Sequence, residues 1–251
     1  MFGLSGLPPK LEISNVLVLG IETATPQVGV AIGGHEGVIA SFHTARDRRH
    51  AETLAPAIQF LCAQTKIDLN EIGVVAVDIG PGLFTGLRVG MATAKAIAHA
   101  CKVPMIGISS LDLAAFPARF SDRLIVSTVD ARRGEIFYAT YRKTAGGIQR
   151  ISEPHVDQPD DVANQLIANA EDFLVVGDGA QRYADTFENL QGVEIGQYFG
   201  ENDGGFPGNP RGTVNRYKNG TIFQSPAQWT SMTNEIISNN DLKVNLQAKL
   251  N

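Results

Sequence analysis

Asp78-Ile79-Gly80-Pro81-Gly82-Leu83-Phe84-Thr85-Gly86-Leu87-Arg88-Val89-Gly90 leads from a short apolar run through a glycine-rich loop into a segment of small residues at helical spacing. A strand, a glycine loop and a helix in that order build either an anion site or a close-packed junction. Gly80, Gly82 and Gly86, with Pro81 between the first two, allow a tight turn and close backbone approach, and the free N–H groups opening a helix add partial positive charge. Phosphate is one occupant such a loop accepts. Tight packing of helix on sheet is the other use of the same glycines, and the loop alone leaves both open.

Working outward, residues 74–79 form a continuous apolar run suited to a strand buried on both faces, followed by a predicted helix over 85–101 and a strand over 103–109. Upstream, residues 16–22 and 28–32 read as strands around a turn holding Pro26, and Gly33-Gly34-His35-Glu36-Gly37 turns into a third strand over 38–44. That is an antiparallel meander. From His50 the period changes: Ala51, Leu54, Ala55, Ile58, Leu61 and Cys62 share one face of a helix over 50–65.

After Pro117 the plan restarts, with a strand over 124–130, the turn Ala131-Arg132-Arg133-Gly134 and a hairpin partner over 135–142. Residues 174–179 and a helix over 180–190 then repeat the strand, glycine turn and helix of the opening motif. The expected architecture is α/β with duplicated mixed-sheet lobes around a cleft. The reading divides the chain into an extension over 1–15, a first lobe over 16–116, a second over 117–196 and a polar tail over 197–251.

Composition bounds the function. A chain of 251 residues with 43% hydrophobic content supports a large core, and no apolar run approaches the roughly 20 residues of a membrane span. Pro8 and Pro9 interrupt the place where a secretory signal carries its apolar centre, so a cytoplasmic protein is expected. Cys62 and Cys101 have no metal-ligand spacing and read as reduced core residues. A net charge of -5 argues against wrapping nucleic acid directly. The densest basic cluster, Arg46-Asp47-Arg48-Arg49-His50, reads as a solvated loop.

Four motifs in order carry a resemblance: Leu19-Gly20-Ile21-Glu22-Thr23-Ala24-Thr25 with Val28-Gly29-Val30-Ala31-Ile32; His50-Ala51-Glu52 with Leu54-Ala55-Pro56; the loop from Gly80 to Gly90; and Asp130-Ala131-Arg132-Arg133-Gly134-Glu135-Ile136-Phe137. Together they resemble the TsaB family, also called YeaZ, over residues 16–190. The resemblance implies the two-lobed fold shared by actin, hexokinase and the heat-shock ATPases. It also implies a role in making threonylcarbamoyladenosine, next to the anticodon of transfer RNAs that read codons beginning with A.

The relative that performs that chemistry, TsaD, carries two histidines at i and i+4 on one helix, which places both imidazoles on one face to hold a metal. Here His35, His43, His50, His99 and His155 include no such pair. The expectation is therefore an accessory subunit with no catalytic residue, metal or cofactor, and His50 with Glu52 reads as a helix entry.

The implied partners are TsaD as a heterodimer and the ATPase TsaE through it, with tRNA met indirectly and a homodimer possible in isolation. The implied docking surface is Ala51, Leu54, Ile58 and Leu61 on the first helix with Leu87, Met91, Ala94, Ile97 and Ala98 on the second. The glycine loop has two expected uses: shaping the helix that meets TsaD, which is favoured, or a weak nucleotide pocket of Glu22, Gly80, Gly82, Thr85, Gly86 and Asp130. Glu22 and Asp130 stand where nucleotide-binding relatives place acidic residues, and both could equally cap turns. The alternative function is an ATP-dependent small-molecule kinase of the same fold, with Glu22 or Asp130 organising magnesium. A peptidase lacks any recognisable nucleophile, histidine and acid motif.

Overall fold

A computed structural model describes residues 16–34, 37–44, 49–145, 147–169, 171–188 and 193–195. The expected extension over 1–15 and the tail over 197–251 lie outside the described residues. Three strands, β1 (Leu17–Glu22), β2 (Val28–Gly34) and β3 (Gly37–Thr44), open the chain and are followed by the helix α1 (His50–Thr65). Then come β4 (Ile72–Gly80), α2 (Phe84–Cys101), β5 (Met105–Ser109) and the short helix α3 (Ser110–Ala115). The second half runs β6 (Leu124–Arg132), β7 (Glu135–Thr144), β8 (Gly147–Arg150), β9 (His155–Asp157), α4 (Pro159–Ala168) and β10 (Phe173–Val176). It closes with α5 (Asp178–Arg182), α6 (Ala184–Glu188) and β11 (Val193–Ile195).

The duplication is visible in the pairing. The first sheet has the order β3-β2-β1-β4-β5, with β1 antiparallel to β2 and parallel to β4. In the second, β8-β7-β6-β10-β11 repeats that order, β6 being antiparallel to β7 and parallel to β10. A helix precedes β4 and β10, the strands parallel to β1 and β6, because a parallel return needs a crossover, and the helix buries its apolar stripe on the sheet it crosses; β9 adds a sixth strand to the second sheet beside β7. The expected two-lobed α/β fold with duplicated mixed sheets is therefore present.

Five layers stack. Leu54, Ile58 and Leu61 of α1 and Ala94 and Ala98 of α2 pack on one face of the first sheet, against Leu19, Ile21, Val30 and Val75. The opposite face, with Val18, Val74 and Ile108, meets Leu113 of α3 and the adjoining Phe116. Leu111 and Ala115 of the same α3 pack on Ile125, Val129 and Tyr141 of the second sheet, whose far face is covered by Val162 and Leu166 of α4. Five of the six residues of α3 are thus buried because both of its sides are interior, Asp112 being the exception. Ser127 Oγ donates to the Leu111 carbonyl at 2.7 Å and Tyr141 Oη to Asp112 Oδ1 at 2.7 Å, which fixes α3 to the second sheet.

Up to residue 188 the helix expected over 180–190 is instead two short helices, α5 and α6, parted at Tyr183, whose φ of -112° leaves helical geometry; 189 and 190 lie outside the described residues. Four elements of the second lobe, β8, β9, α4 and β11, were not expected. Among the described residues no helix is long and apolar enough to cross a membrane.

Candidate functional site

The glycine loop is occupied by the protein's own β1–β2 turn. Gly80 ends β4 with φ of 98°, which a side chain would resist, and the Leu83 amide donates to the Ala24 carbonyl at 2.6 Å as α2 begins. At Gly86 a Cβ would overlap the Thr23 carbonyl, and Cβ atoms at Gly82 and Gly90 would meet Ala24 and the Thr23 side chain. Thr23 Oγ1 also donates to the Gly86 carbonyl at 2.8 Å. The turn is therefore keyed into notches along the first half of α2. His50 secures it from the other side, its Nε2 lying 2.8 Å from the Thr25 carbonyl oxygen. Thr85 is exposed on the far side of the helix.

Two acids lie beneath this turn. Glu22, 3% exposed at the end of β1, accepts hydrogen bonds from the Ala24 amide at 2.7 Å and from the amide and hydroxyl of Thr25 at 3.1 and 3.3 Å. Asp78 on the neighbouring strand β4 has no exposure, and its Oδ1 accepts from the Gly80 amide at 2.7 Å and from Ser110 Oγ at 2.6 Å. Its Oδ2 is buried without a hydrogen-bond partner. The strand register sets Ile21 beside Val77, so the acids occupy adjacent strand ends. Burial, and then the charge of Asp78, pushes the Glu22 carboxyl up to about 8. Burial raises Asp78 to about 7, against the lowering effect of its two donors.

Asp130 occupies the matching strand end of the second lobe in a different setting. Its Oδ1 accepts the Arg132 amide at 2.9 Å, while Arg132 and Arg182 bring guanidinium nitrogens to 3.3 and 3.4 Å of Oδ2. The Asp130 amide donates to Asp178 Oδ1 at 2.9 Å, and burial raises the Asp178 carboxyl to about 6. The repeat extends to detail: Thr128 Oγ1 donates to the Val176 carbonyl and accepts from the Ala180 amide, and Gly177, with φ of 102°, stands where Gly80 stands in the first lobe.

His50 and Glu52 do not come together. His50 is buried on the turn, whereas Glu52 points outward with Arg49 at 3.9 Å. Among the described residues no group of three His, Cys, Asp or Glu side chains could hold a metal ion.

The nine residues expected to form a docking surface divide. Leu54, Ile58, Leu61, Ala94 and Ala98 are core, at most 7% exposed, because they are the stripe each helix turns toward its own sheet. Leu87, Met91 and Ile97 are half-buried and Ala51 is exposed. The outward face carries Ala51, Ala55, Ala92, Ala96 and Ala100 among polar residues that include Glu52, Gln59, Arg88, Lys95 and His99, with Phe60 52% exposed. Asp78 is the site residue that sequence reasoning missed; an acid inside the otherwise apolar run 74–79 was the signal available. Cys62 and Cys101 are free and half-buried.

A family model for tRNA N6-adenosine threonylcarbamoyltransferase, TsaD, matches residues 37–197. The tRNA threonylcarbamoyladenosine biosynthesis protein TsaB of Escherichia coli is 31% identical over 171 residues, covering 67% of this chain and 74% of that protein. An uncharacterised protein of Mycobacterium leprae is 42% identical over 150 residues, 58% of this chain, and this chain spans only 40% of the length of that relative. Among solved structures, YeaZ from Pseudomonas aeruginosa superposes with a TM-score of 0.62 at 23% identity, covering 72% of this chain and 84% of the other, which shows a common fold.

Proposed function

The chain belongs to the TsaB (YeaZ) family, and on that premise we propose that it is the non-catalytic partner and activator of TsaD. TsaD transfers a threonylcarbamoyl group to N6 of the adenosine next to the anticodon in tRNAs reading codons that begin with A. TsaE joins through TsaD, and tRNA meets this chain indirectly.

The observation that carries the reading is the state of α2. Its glycine face is filled by Thr23 and Ala24, so the loop positions a helix. Its opposite face offers Ala92, Ala96 and Ala100 beside Ala51 and Ala55 of α1. Small outward side chains let a second helix pair approach closely and interdigitate its ridges. Binding there activates TsaD to the extent that the contacts are stronger in its competent state. The same face supports a homodimer when TsaD is absent. The kinase alternative is not favoured: the Asp130 carboxylate is already met by two guanidiniums and the Glu22 carboxyl by three donors of its own turn.

Measuring complex mass by light scattering, with TsaD from Escherichia coli, tests the face. The parent chain should co-elute with TsaD, and Ala96→Glu, which places an unpaired charge on an exposed small residue, should weaken association more than tenfold. Its own urea midpoint should stay at the parental value. Equal association by Ala96→Glu and Ala55→Glu would mean that TsaD docks elsewhere.

A further inference from the structure

Two buried carboxyls end adjacent parallel strands beneath a turn that is itself wedged into the partner-facing helix, and the oxygen Asp78 Oδ2 has no donor. We propose that Glu22 and Asp78 form a proton-operated latch on α2. While the pair keeps its protons the β1–β2 turn stays seated in the glycine notches, and losing them unseats the turn and shifts the helix face offered to a partner.

The surroundings explain the direction. An ionised Asp78 has Gly80 and Ser110 donating to one oxygen and nothing donating to the other. A second charge on Glu22 would face it across adjacent strands. Two such charges out of water are tolerated only if water or a cation reaches them. Among the described residues no neighbouring cation supplies that relief. From β3, His43 approaches the Glu22 side: a Cβ at Gly29 would sit 3.8 Å from both Glu22 Oε2 and His43 Cδ2. Burial lowers the His43 pKa, so its imidazole is neutral in alkaline solution. From α1, His50 is engaged with the Thr25 carbonyl. From α3, Asp112 adds negative charge near Asp78 and is itself met by Tyr141 and by Arg150 at 3.5 Å. The helix α2 contributes glycines on this side, while its Arg88, Lys95 and His99 are exposed.

The element that must yield to admit water is the turn. Glu22 itself ties it down through Ala24 and Thr25, and it holds α2 through two bonds, Leu83 N–H to the Ala24 carbonyl and the Thr23 hydroxyl to the Gly86 carbonyl. Opening there frays the start of α2 first.

The latch is read in the chain alone; its effect on docking rests on the proposed TsaD reading. Amide exchange of Leu83, corrected for the intrinsic pH dependence of exchange, should show protection falling at least tenfold between pH 6 and pH 9. Affinity for Escherichia coli TsaD should fall at least threefold over the same range. The double variant Glu22→Gln with Asp78→Asn should hold both quantities level. Carboxyl NMR titration of the parent provides a readout that needs no variant, and the two groups should titrate above pH 6. Titration of both near pH 4, or equal Leu83 protection at pH 6 and pH 9, would overturn the latch. Falling protection with unchanged TsaD affinity would overturn its link to docking. Absence of TsaD binding at every pH would contradict the functional reading, while the exchange data would still decide the latch.

Discussion

At Gly86 one methyl group decides whether α2 can lie where it does. Alanine gains about 1 kcal/mol over glycine inside a helix, yet its Cβ would overlap the Thr23 carbonyl, a backbone atom that cannot swing away. Overpacking of this kind costs about 1–3 kcal/mol, so Gly86→Ala should lower the urea midpoint, against helix propensity. An unchanged or higher midpoint would show that the turn is loosely seated. Asp78→Asn makes a prediction with a sign. Both acids hold their protons more tightly in the folded chain than the ordinary carboxylate values of the unfolded one, so the folded state binds more protons between about pH 4 and pH 8. Their contribution to stability is complete below that window and is lost as pH rises through it. The variant, neutral throughout, should therefore gain on the parent in urea unfolding as pH increases from 5 to 8. At this scale the sequence showed that the glycines permit a close approach, but not what approaches. Thr23 and Ala24 are far from Gly86 along the chain, and only strand pairing brings the turn to the helix.

Helices declare themselves in sequence by the residues they hide. The spacing of Leu54, Ile58 and Leu61, and of Ala94 and Ala98, identifies α1 and α2 because those residues face the sheet, and for that reason they are core rather than exposed surface. Ala94→Glu should consequently unfold the chain, burying a charge with no partner, whereas Ala96→Glu should leave circular dichroism and the urea midpoint as they are. The two residues are neighbours in sequence and opposite in consequence. Six-residue α3 has too little length for a period to show, and its two buried faces remove the polar stripe that would have set one. For α4 the signals were present in Pro159 at its first turn and Asp160 and Asp161 beside the helix start. Because α3 is the layer between the sheets, Tyr141→Phe, which takes the donor from Asp112, should cost about 1.5 kcal/mol in urea unfolding.

Across the described residues one strand order is used twice, and the second copy shows which features belong to the scaffold. Both lobes carry an acid near the end of their first strand, follow or end the strand parallel to it with a left-handed glycine and lay a threonine against the following helix. They differ in how the acid is treated: Asp130 is met by Arg132 and Arg182, while Glu22 and Asp78 are buried without a cation among the described residues. Topology was legible because strand, glycine turn and helix recur in order, although only the first of the two meanders could be read in full and β8 and β9 of the second could not. The contrast between the acids was not, since Arg182 reaches Asp130 from a different element. We propose that this scaffold assists a transfer it does not itself perform. The most direct test adds the chain to TsaD, TsaE, the threonylcarbamoyl adenylate donor and unmodified tRNA, and follows formation of the modified adenosine. The account predicts a rate at least tenfold above that without the chain, lost with Ala96→Glu, and no transfer by the chain alone. Transfer by the isolated chain, or an unchanged rate when it is added, would contradict it.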